Sequence, residues 1–445
     1  MPPTLDKRLP APDAVIPTIG RHLLADGFPL VLDMDESDTA HLRDALSGRD
    51  YVDLFTFFAS NPLGMNHPKL RGDEAFLERL LDAALNKVSN SDVYTPHMAR
   101  FVGTFSRVGI PEELPHAFFV SGGALAVENA LKAAFDWKVQ KNFRKGYQRE
   151  RGHQVLHFKD AFHGRSGYTL SLTNTDPTKT RYFPKFDWPR VLNPHCNGPA
   201  DEADVEEREA AALTEAKTAF HTNKDDIAAI IIEPIQAEGG DHHFRPQFLQ
   251  ALRDLADENE ALLVFDEVQT GVGLTGTFWA YQGLGVTPDV LAFGKKAQVC
   301  GILAGRRLDE VEDNVFHVSS RINSTWGGNL VDMVRFDRIL EVIEEDDLVA
   351  NAAEAGRHLQ GLLRGLAERF EAVENPRGRG LMCAFDLPST EVRDAVRRRA
   401  MEHGLLILGC GPRSIRFRPA LNVTTGTLDE GVAILERALG DELEG

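Results

Sequence analysis

Five short apolar runs, set between helical patterns, limit most strongly what this chain can fold into. They are Ala117–Val120, Val155–Phe158, Ile227–Ile232, Ala261–Phe265 and Val290–Phe293. Runs of this length, without polar alternation, suit strands buried on both faces. Between the third and fourth lies a helix opening at Pro246, a residue suited to a first helical turn. Its Phe248, Leu249, Leu252, Leu255 and Ala256 fall on one face, so Ile227 to Phe265 is a strand–helix–strand unit. The alternation predicts an α/β fold with a mostly parallel sheet.

The rhythm changes near Asp332. A long amphipathic helix (DMVRFDRILEVIEE) begins there, followed by further helical sequence. Three short strands are expected around Met382–Leu387, Leu405–Leu408 and Ile415–Arg418, and a last helix from the capping box Thr427-Leu428-Asp429-Glu430. The expected division is an arm over 1–70, which includes YVDLFTFFASNPLGMNHP, a large domain over 71–331 and a smaller α+β domain over 332–445. A chain of 445 residues is long enough for such a division.

In open α/β sheets ligands sit outside the carboxyl ends of the strands, so the residues just after each run carry the functional reading. The first run ends in Ser121-Gly122-Gly123-Ala124 before a clear helix, LAVENALKAAFDWK. Backbone N–H groups at such a turn can cradle a phosphate, although a glycine pair also serves as a plain turn. The second ends in Asp160-Ala161-Phe162-His163-Gly164-Arg165, an aromatic and a cation that could equally belong to a packed loop. The third ends in Glu233-Pro234-Ile235-Gln236-Ala237-Glu238-Gly239-Gly240, whose carboxylates suit acid–base work or pairing with arginine. The fourth ends in Asp266-Glu267-Val268-Gln269, and a buried Asp needs a cation such as a protonated pyridine nitrogen. The fifth ends in Gly294-Lys295-Lys296, where a desolvated lysine can reach an aldehyde. Phosphate loop, aspartate and lysine together fit one cofactor, pyridoxal 5'-phosphate (PLP).

Composition removes other classes. The formal net charge of −18 argues against nucleic-acid binding. Four cysteines, Cys196, Cys300, Cys383 and Cys410, form no metal-ligand spacing and are expected as reduced, packed thiols in a cytoplasmic protein. No secretory signal is visible in MPPTLDKRLPAPDAV, and no apolar run reaches membrane-span length. His242–His243 is expected as a solvent-facing loop pair rather than a metal site, and Asp201 to Glu209 as a solvated helix face.

The chain resembles the class III (ω-amino acid) aminotransferases of fold type I, and within them the lysine 6-aminotransferase (lysine ε-aminotransferase) subfamily. The segments that carry the resemblance include SNSDVY, GGALAVENALKAAFDWK, AFHGRSGYTLSLTNT, FPKFDWPR, FDEVQTGVGLTG, FGKKAQVCG and NSTWGGNL. The 4-aminobutyrate branch shares the DEVQTG, paired-lysine and IRFRP elements. The resemblance implies a PLP homodimer with shared active sites. Lys295 would be the Schiff-base lysine, because the family places it directly after a small residue, here Gly294, and Lys296 is its rival. Asp266 would face the pyridine nitrogen, Gln269 the phenolic oxygen and Phe162 the ring. Gly123 and Ala124 would hold the phosphate, with Ser324 and Thr325 reaching the partner subunit's cofactor. Arg165, Gln269, Glu238, Arg416 and Asn323 would contact substrate. Two small departures from the family are Ala297, after the lysine pair, and Phe58, which is bulky near the substrate entrance.

The implied reaction moves the ε-amino group of L-lysine to 2-oxoglutarate, giving 2-aminoadipate 6-semialdehyde and L-glutamate. The alternative is the same chemistry on 4-aminobutyrate or ornithine. Glu238 would pair with Arg416 in the lysine half-reaction and swing away for 2-oxoglutarate, while Arg165 clamps the distal carboxylate. A regulator built on an aminotransferase-like sensor is disfavoured, since no basic helix-turn-helix segment is present. An inactive homologue is disfavoured because lysine, aspartate and phosphate loop are all intact.

Overall fold

A computed structural model describes residues 9–196 and 202–443. Its central sheet has seven strands, which run across the sheet as His116–Val120, Cys300–Ala304, Val290–Phe293, Leu262–Asp266, Ile227–Ile232, Gln154–Phe158 and Arg190–Val191. All neighbours pair in parallel except at Cys300–Ala304, which is antiparallel to both of its partners. The five apolar runs are all strands of this sheet, and it is an α/β fold with a mostly parallel sheet as expected. Cys300–Ala304 and the two-residue Arg190–Val191 were not anticipated.

Both faces of the sheet are covered, which is why its strands read as unbroken apolar runs. On one face Phe158, Ile230, Leu263 and Phe293 join a core that takes in the predicted side of the Pro246–Glu258 helix. On the other, Val155, Ile231, Val264 and Ala292 pack with Val127, Ala130, Leu131 and Trp137 of the Gly123–Arg144 helix.

The C-terminal part departs from expectation in detail. The helices are Leu330–Glu345, Leu348–Arg369, Thr390–His403 and Thr425–Leu443. The last is opened by Thr424, whose Oγ1 accepts the Thr427 N–H at 3.1 Å. Thr427 is thus inside the helix, because an earlier threonine already serves its N–H. The expected strand at 405–408 is split between two sheets. Leu405–Leu406 pairs in parallel with Asp50–Asp53 of the N-terminal sheet, whereas Leu408–Cys410 pairs with Ser414–Phe417. Met382–Asp386 and an unanticipated strand, Glu374–Arg379, complete the second of these.

Two further expectations are corrected. His242–His243 is a short strand paired with Ile235–Gln236, not a solvent-facing loop. The His242 ring stacks on His195 with 3.9 Å between centroids, and burial pushes its pKa down to about 2. The acidic stretch, whose Asp201 lies outside the described residues, is not wholly solvated. Glu209 is buried against Arg245 at 2.7 Å, and Glu206 reaches the same guanidinium at 3.1 Å. Cys300, Cys383 and Cys410 are buried free thiols, and Cys196 is half-buried. Among the described residues no helix is long and apolar enough to cross a membrane.

Candidate active site

The carboxyl ends of the parallel strands open into one cavity of about 510 Å³, within the size range of small-molecule sites. Its wall brings together Gly123, Ala124, Phe162, Arg165, Glu238, Asp266, Gln269 and Lys295, which come from five separate strand ends. Asp266 closes its strand, and its Oδ2 lies 2.8 Å from the Nδ1 of His163. The Val268 N–H donates to Oδ1 at 3.1 Å. Burial disfavours the His163 imidazolium, but the Asp266 carboxylate outweighs it and raises the histidine pKa. Asp266 is therefore held rigidly as an acceptor that faces the cavity.

Lys295 follows the neighbouring strand in a left-handed backbone conformation, φ 51°. Desolvation lowers the pKa of its ammonium, opposed by Asp266 and reinforced by Arg416. Lys296 points away. Its Nζ donates to the Gln269 carbonyl at 2.8 Å and the Ala59 carbonyl at 3.4 Å, and it is not part of the cavity wall.

Opposite, the 22-residue Gly123–Arg144 helix begins without a side-chain cap, after Gly122 at φ 113°. Its first hydrogen bond runs from Ala126 N–H to the Gly122 carbonyl, so the N–H groups of Gly123 and Ala124 remain available to an anion. Gly164, at φ 131°, lets the Phe162 loop lie against this turn; a Cβ there would meet the Ala124 Cβ at 2.6 Å. An ammonium, a rigid carboxylate, an aromatic face and an N–H cradle at separate places in one cavity are what PLP requires, so the residues present fit that cofactor.

At the outer end, Glu238 accepts from Arg416 Nη2 at 2.9 Å and from Lys179 Nζ at 2.6 Å. Burial raises the Glu238 pKa, but Arg416 and Lys179 together more than reverse this and lower it. Arg416 is itself buried, with 3% of its side chain exposed, and lies 5.8 Å from the Phe58 ring centre. Phe57 and Phe58 belong to a turn, Thr56–Ala59, in which all four residues have positive φ. Such conformations cost roughly 1–3 kcal/mol each. The turn is held by Asp53 Oδ1, which accepts the Phe55 and Thr56 N–H groups at 3.0 and 2.8 Å. The Thr56 hydroxyl also donates to the Arg418 carbonyl at 2.6 Å.

The sequence model of the family described as aminotransferase class-III matches residues 25–439. The L-lysine-epsilon aminotransferase of Mycobacterium tuberculosis is 57% identical over 429 residues, which cover 96% of each chain. That of Streptomyces clavuligerus is 53% identical over 93% of this chain and 92% of the relative. Human mitochondrial 4-aminobutyrate aminotransferase is 30% identical over 89% of this chain and 82% of its own. The solved lysine aminotransferase from M. tuberculosis, in its internal aldimine form, superposes with a TM-score of 0.96 at 56% identity, covering 97% of this chain and 100% of that one.

The chain belongs to the class III aminotransferases. Class III aminotransferases use PLP, and the strand-end cavity is where this one has the groups to hold it. Of the predicted site residues, Arg416 lies behind the cavity wall and meets it through Glu238, whereas Asn323, Ser324 and Thr325 are not brought to this cavity. They form a loop beside residues 89–91, with Ser89 Oγ donating to the Thr325 carbonyl at 2.5 Å and Ser91 Oγ to that of Ser324. Asn323 and Thr325 are exposed.

Several groups of this class III site escaped sequence reasoning. Glu233 was noted only as one of two carboxylates, yet its oxygens accept the Phe162 and Ala237 N–H groups at 2.9 and 3.1 Å. Burial raises its pKa to about 7, with His163 opposing. Arg418 is locked to Asp241 and donates to Gln269 Oε1 at 2.9 Å, which leaves the Gln269 amide nitrogen for a cavity ligand. Lys179 had no signal at all, since it lies in an irregular segment far in sequence from Glu238.

Proposed function

We propose that this class III aminotransferase transfers the ε-amino group of L-lysine to 2-oxoglutarate, giving 2-aminoadipate 6-semialdehyde and L-glutamate. The observation that carries the reading is the Glu238–Arg416 pair beside the lysine-bearing strand end, in a chain more than half identical to lysine ε-aminotransferases.

PLP, when bound, supplies an aldehyde to take up the amine and an electron-poor ring to stabilise charge at the reacting carbon. The protein supplies the rest. Lys295, whose lowered pKa favours the neutral amine, takes the proton from the reacting carbon of the substrate and returns it on the other side of the transfer. Asp266, fixed by His163 and Val268, would keep the ring-nitrogen proton in place. Gly123 and Ala124 would hold the phosphate, Phe162 would face the ring, and the Gln269 amide, oriented by Arg418, would donate to the phenolic oxygen.

Substrate choice follows from a charge problem. The ε-carbon of lysine carries no carboxylate, whereas the reacting carbon of 2-oxoglutarate does. Arg416 waiting for the second would be a buried, unpaired cation during the first, costing several kcal/mol. Glu238 neutralises it for lysine and yields it to 2-oxoglutarate. Arg165, at the cavity wall and exposed, is placed to receive the distal carboxylate of either substrate.

The same reading makes the enzyme a cytoplasmic homodimer, with Asn323, Ser324 and Thr325 serving the neighbouring subunit's site. It also divides the chain into an arm (1–70), a PLP-binding domain (71–331) and a small domain (332–445). The buried free thiols of Cys300, Cys383 and Cys410 and the exposure of Asn323 and Thr325 support these points. The test of substrate is to incubate the holoenzyme with 2-oxoglutarate and lysine, ornithine or 4-aminobutyrate, and to identify the carbonyl product. Lysine is expected to turn over fastest and give an aldehyde whose α-amino group is intact. Faster turnover of either rival, or loss of the α-amino group, would overturn the assignment.

A further inference from the structure

Lys179 ends a short turn, Pro177–Lys179, whose last side chain forms part of the cavity wall. The turn is fixed at its start. Asp176 accepts the Thr178 N–H at 2.8 Å, and the Lys179 N–H donates to the Asp176 carbonyl at 3.1 Å. The Lys179 ammonium lies 5.6 Å from the centre of the Phe162 ring and 2.6 Å from Glu238 Oε1. Glu238 therefore has two cationic partners, one for each oxygen, since Arg416 holds Oε2.

The two partners are unlike. Arg416 is 3% exposed on a sheet strand, whereas Lys179 is 25% exposed at the rim. A guanidinium is a planar fork with fixed donor directions, but a lysine ammonium rotates freely on a flexible stem. Only the lysine can follow a carboxylate that moves.

We propose that Lys179 is a positioning residue that keeps hold of Glu238 when the carboxylate of the incoming 2-oxo acid takes Arg416. The inference rests on the alternation of Glu238 described above and adds where that side chain goes. A displaced Glu238 without a second cation would be a partly buried, unpaired charge, and desolvation would act against it. With Lys179 in place, displacement breaks one of two charge-assisted bonds and keeps the other. Loss of Lys179 also leaves Arg416 as the sole strong partner of Glu238, which makes the pair harder to part. Both effects weigh on the 2-oxo acid half-reaction. In the amine half-reaction the Glu238–Arg416 pair stays closed, and Lys179 has little to do.

The test compares single-turnover half-reactions of holoenzymes carrying Lys179→Met, Lys179→Arg, Glu238→Gln and the Lys179→Met/Glu238→Gln pair. Each is checked for wild-type visible absorption of the bound cofactor. Lys179→Met is expected to raise the half-saturating concentration of 2-oxoglutarate roughly tenfold, the worth of one partly solvated charge-assisted bond. The lysine half-reaction should shift far less, and Lys179→Arg should recover most of the loss. In the Glu238→Gln background, Lys179→Met should add nothing. Equal loss in both half-reactions, or a full-sized effect that persists without the Glu238 charge, would overturn the proposal, the latter by placing Lys179 on the substrate itself. The two readings fail separately. Glu238→Gln alone damaging both halves equally sinks the alternation and this inference with it. A split in Glu238→Gln but none in Lys179→Met sinks this inference only.

Discussion

Arg416 and Arg418 stand two residues apart, on the same face of one chain segment, and have opposite energetic roles. Arg418 is 1% exposed and bound to Asp241, which is 0% exposed, so neither charge has access to solvent. Removing one partner strands the other, at a typical cost of about 3–5 kcal/mol. Arg418→Met is therefore expected to lower unfolding stability by that order, measured by denaturant melts, and to loosen Gln269 as well. Arg416→Met is expected to cost far less stability, because its partner Glu238 keeps Lys179 and some solvent. Its damage should instead fall on the 2-oxoglutarate half-reaction. If both variants melted alike, the distinction between a locked and a movable arginine would be wrong. Only the pairing of Arg416 with Glu238 was anticipated, and that by family resemblance; the lock of Arg418 on Asp241 was not. The segment IRFRP marks two arginines, but nothing in its residues tells which carboxylate each meets, because Glu238 and Asp241 lie far away in sequence; resemblance supplied the first partner and only the fold the second. Lys295 was legible, because a lysine directly after a buried strand has few structural reasons to be there. Its neighbour Lys296 needed the fold, which sends it to backbone carbonyls.

At the level of elements, strand ends were the readable part. A strand buried on both faces leaves an unbroken apolar run, and the residue that ends the run is the one that reaches the cavity. Cys300–Ala304 was missed because it returns antiparallel straight after the lysine turn, with no intervening helix to set it apart. The N-cap of the C-terminal helix lies three residues before the expected Thr427, since two threonines could cap it and only the three-dimensional arrangement selects Thr424. Glu267, beside Asp266, shows how an element is joined to the sheet end. Its carboxylate accepts the Ala280 and Tyr281 N–H groups at 2.7 and 2.9 Å, and so caps the Ala280–Leu284 helix from below. Burial raises its pKa from 4.5 to about 7, with the Ala280 and Tyr281 N–H groups opposing. Between pH 4.5 and about 7 the folded protein thus holds a proton that the unfolded chain has released. Stability from this group is full below the unfolded pKa and declines as pH rises through that window, by at most about 1.4 kcal/mol per pH unit. Glu267→Gln cannot titrate, so subtracting its pH–stability curve from that of the wild type isolates the effect. A difference that stayed flat from pH 4.5 to 7 would mean that the carboxylate is ionised in the folded state.

For the molecule as a whole, the open question is why the NSTWGGNL loop carries a string so characteristic of the family and yet contributes nothing to its own cavity. The central sheet, both of its cores and the five strand ends could be read from one chain, because each depends on contacts within that chain. The 323–325 loop could be assigned only by resemblance, and in a single protomer Asn323 and Thr325 remain exposed. The two-fold dimer proposed above would resolve this, since the symmetry that brings the loop of one subunit to its partner also returns the partner's loop. The arrangement has a consequence that can be measured. Lys295→Ala removes the amine from a subunit's own cavity, whereas under the proposed arrangement Thr325→Ala would harm only the cavity of the neighbour. In a hybrid of the two variants, one site bears both defects and the other has neither. If the subunits are dissociated and reassociated in equal amounts, half of the dimers are hybrids, and about a quarter of all sites are intact. Activity should therefore rise above the sum of the separate variants by up to about a quarter of the wild-type value, while the visible absorption of the cofactor marks only subunits that retain Lys295. If Thr325 served its own subunit, every site in the mixture would carry exactly one defect or the other, and reassociation would restore nothing.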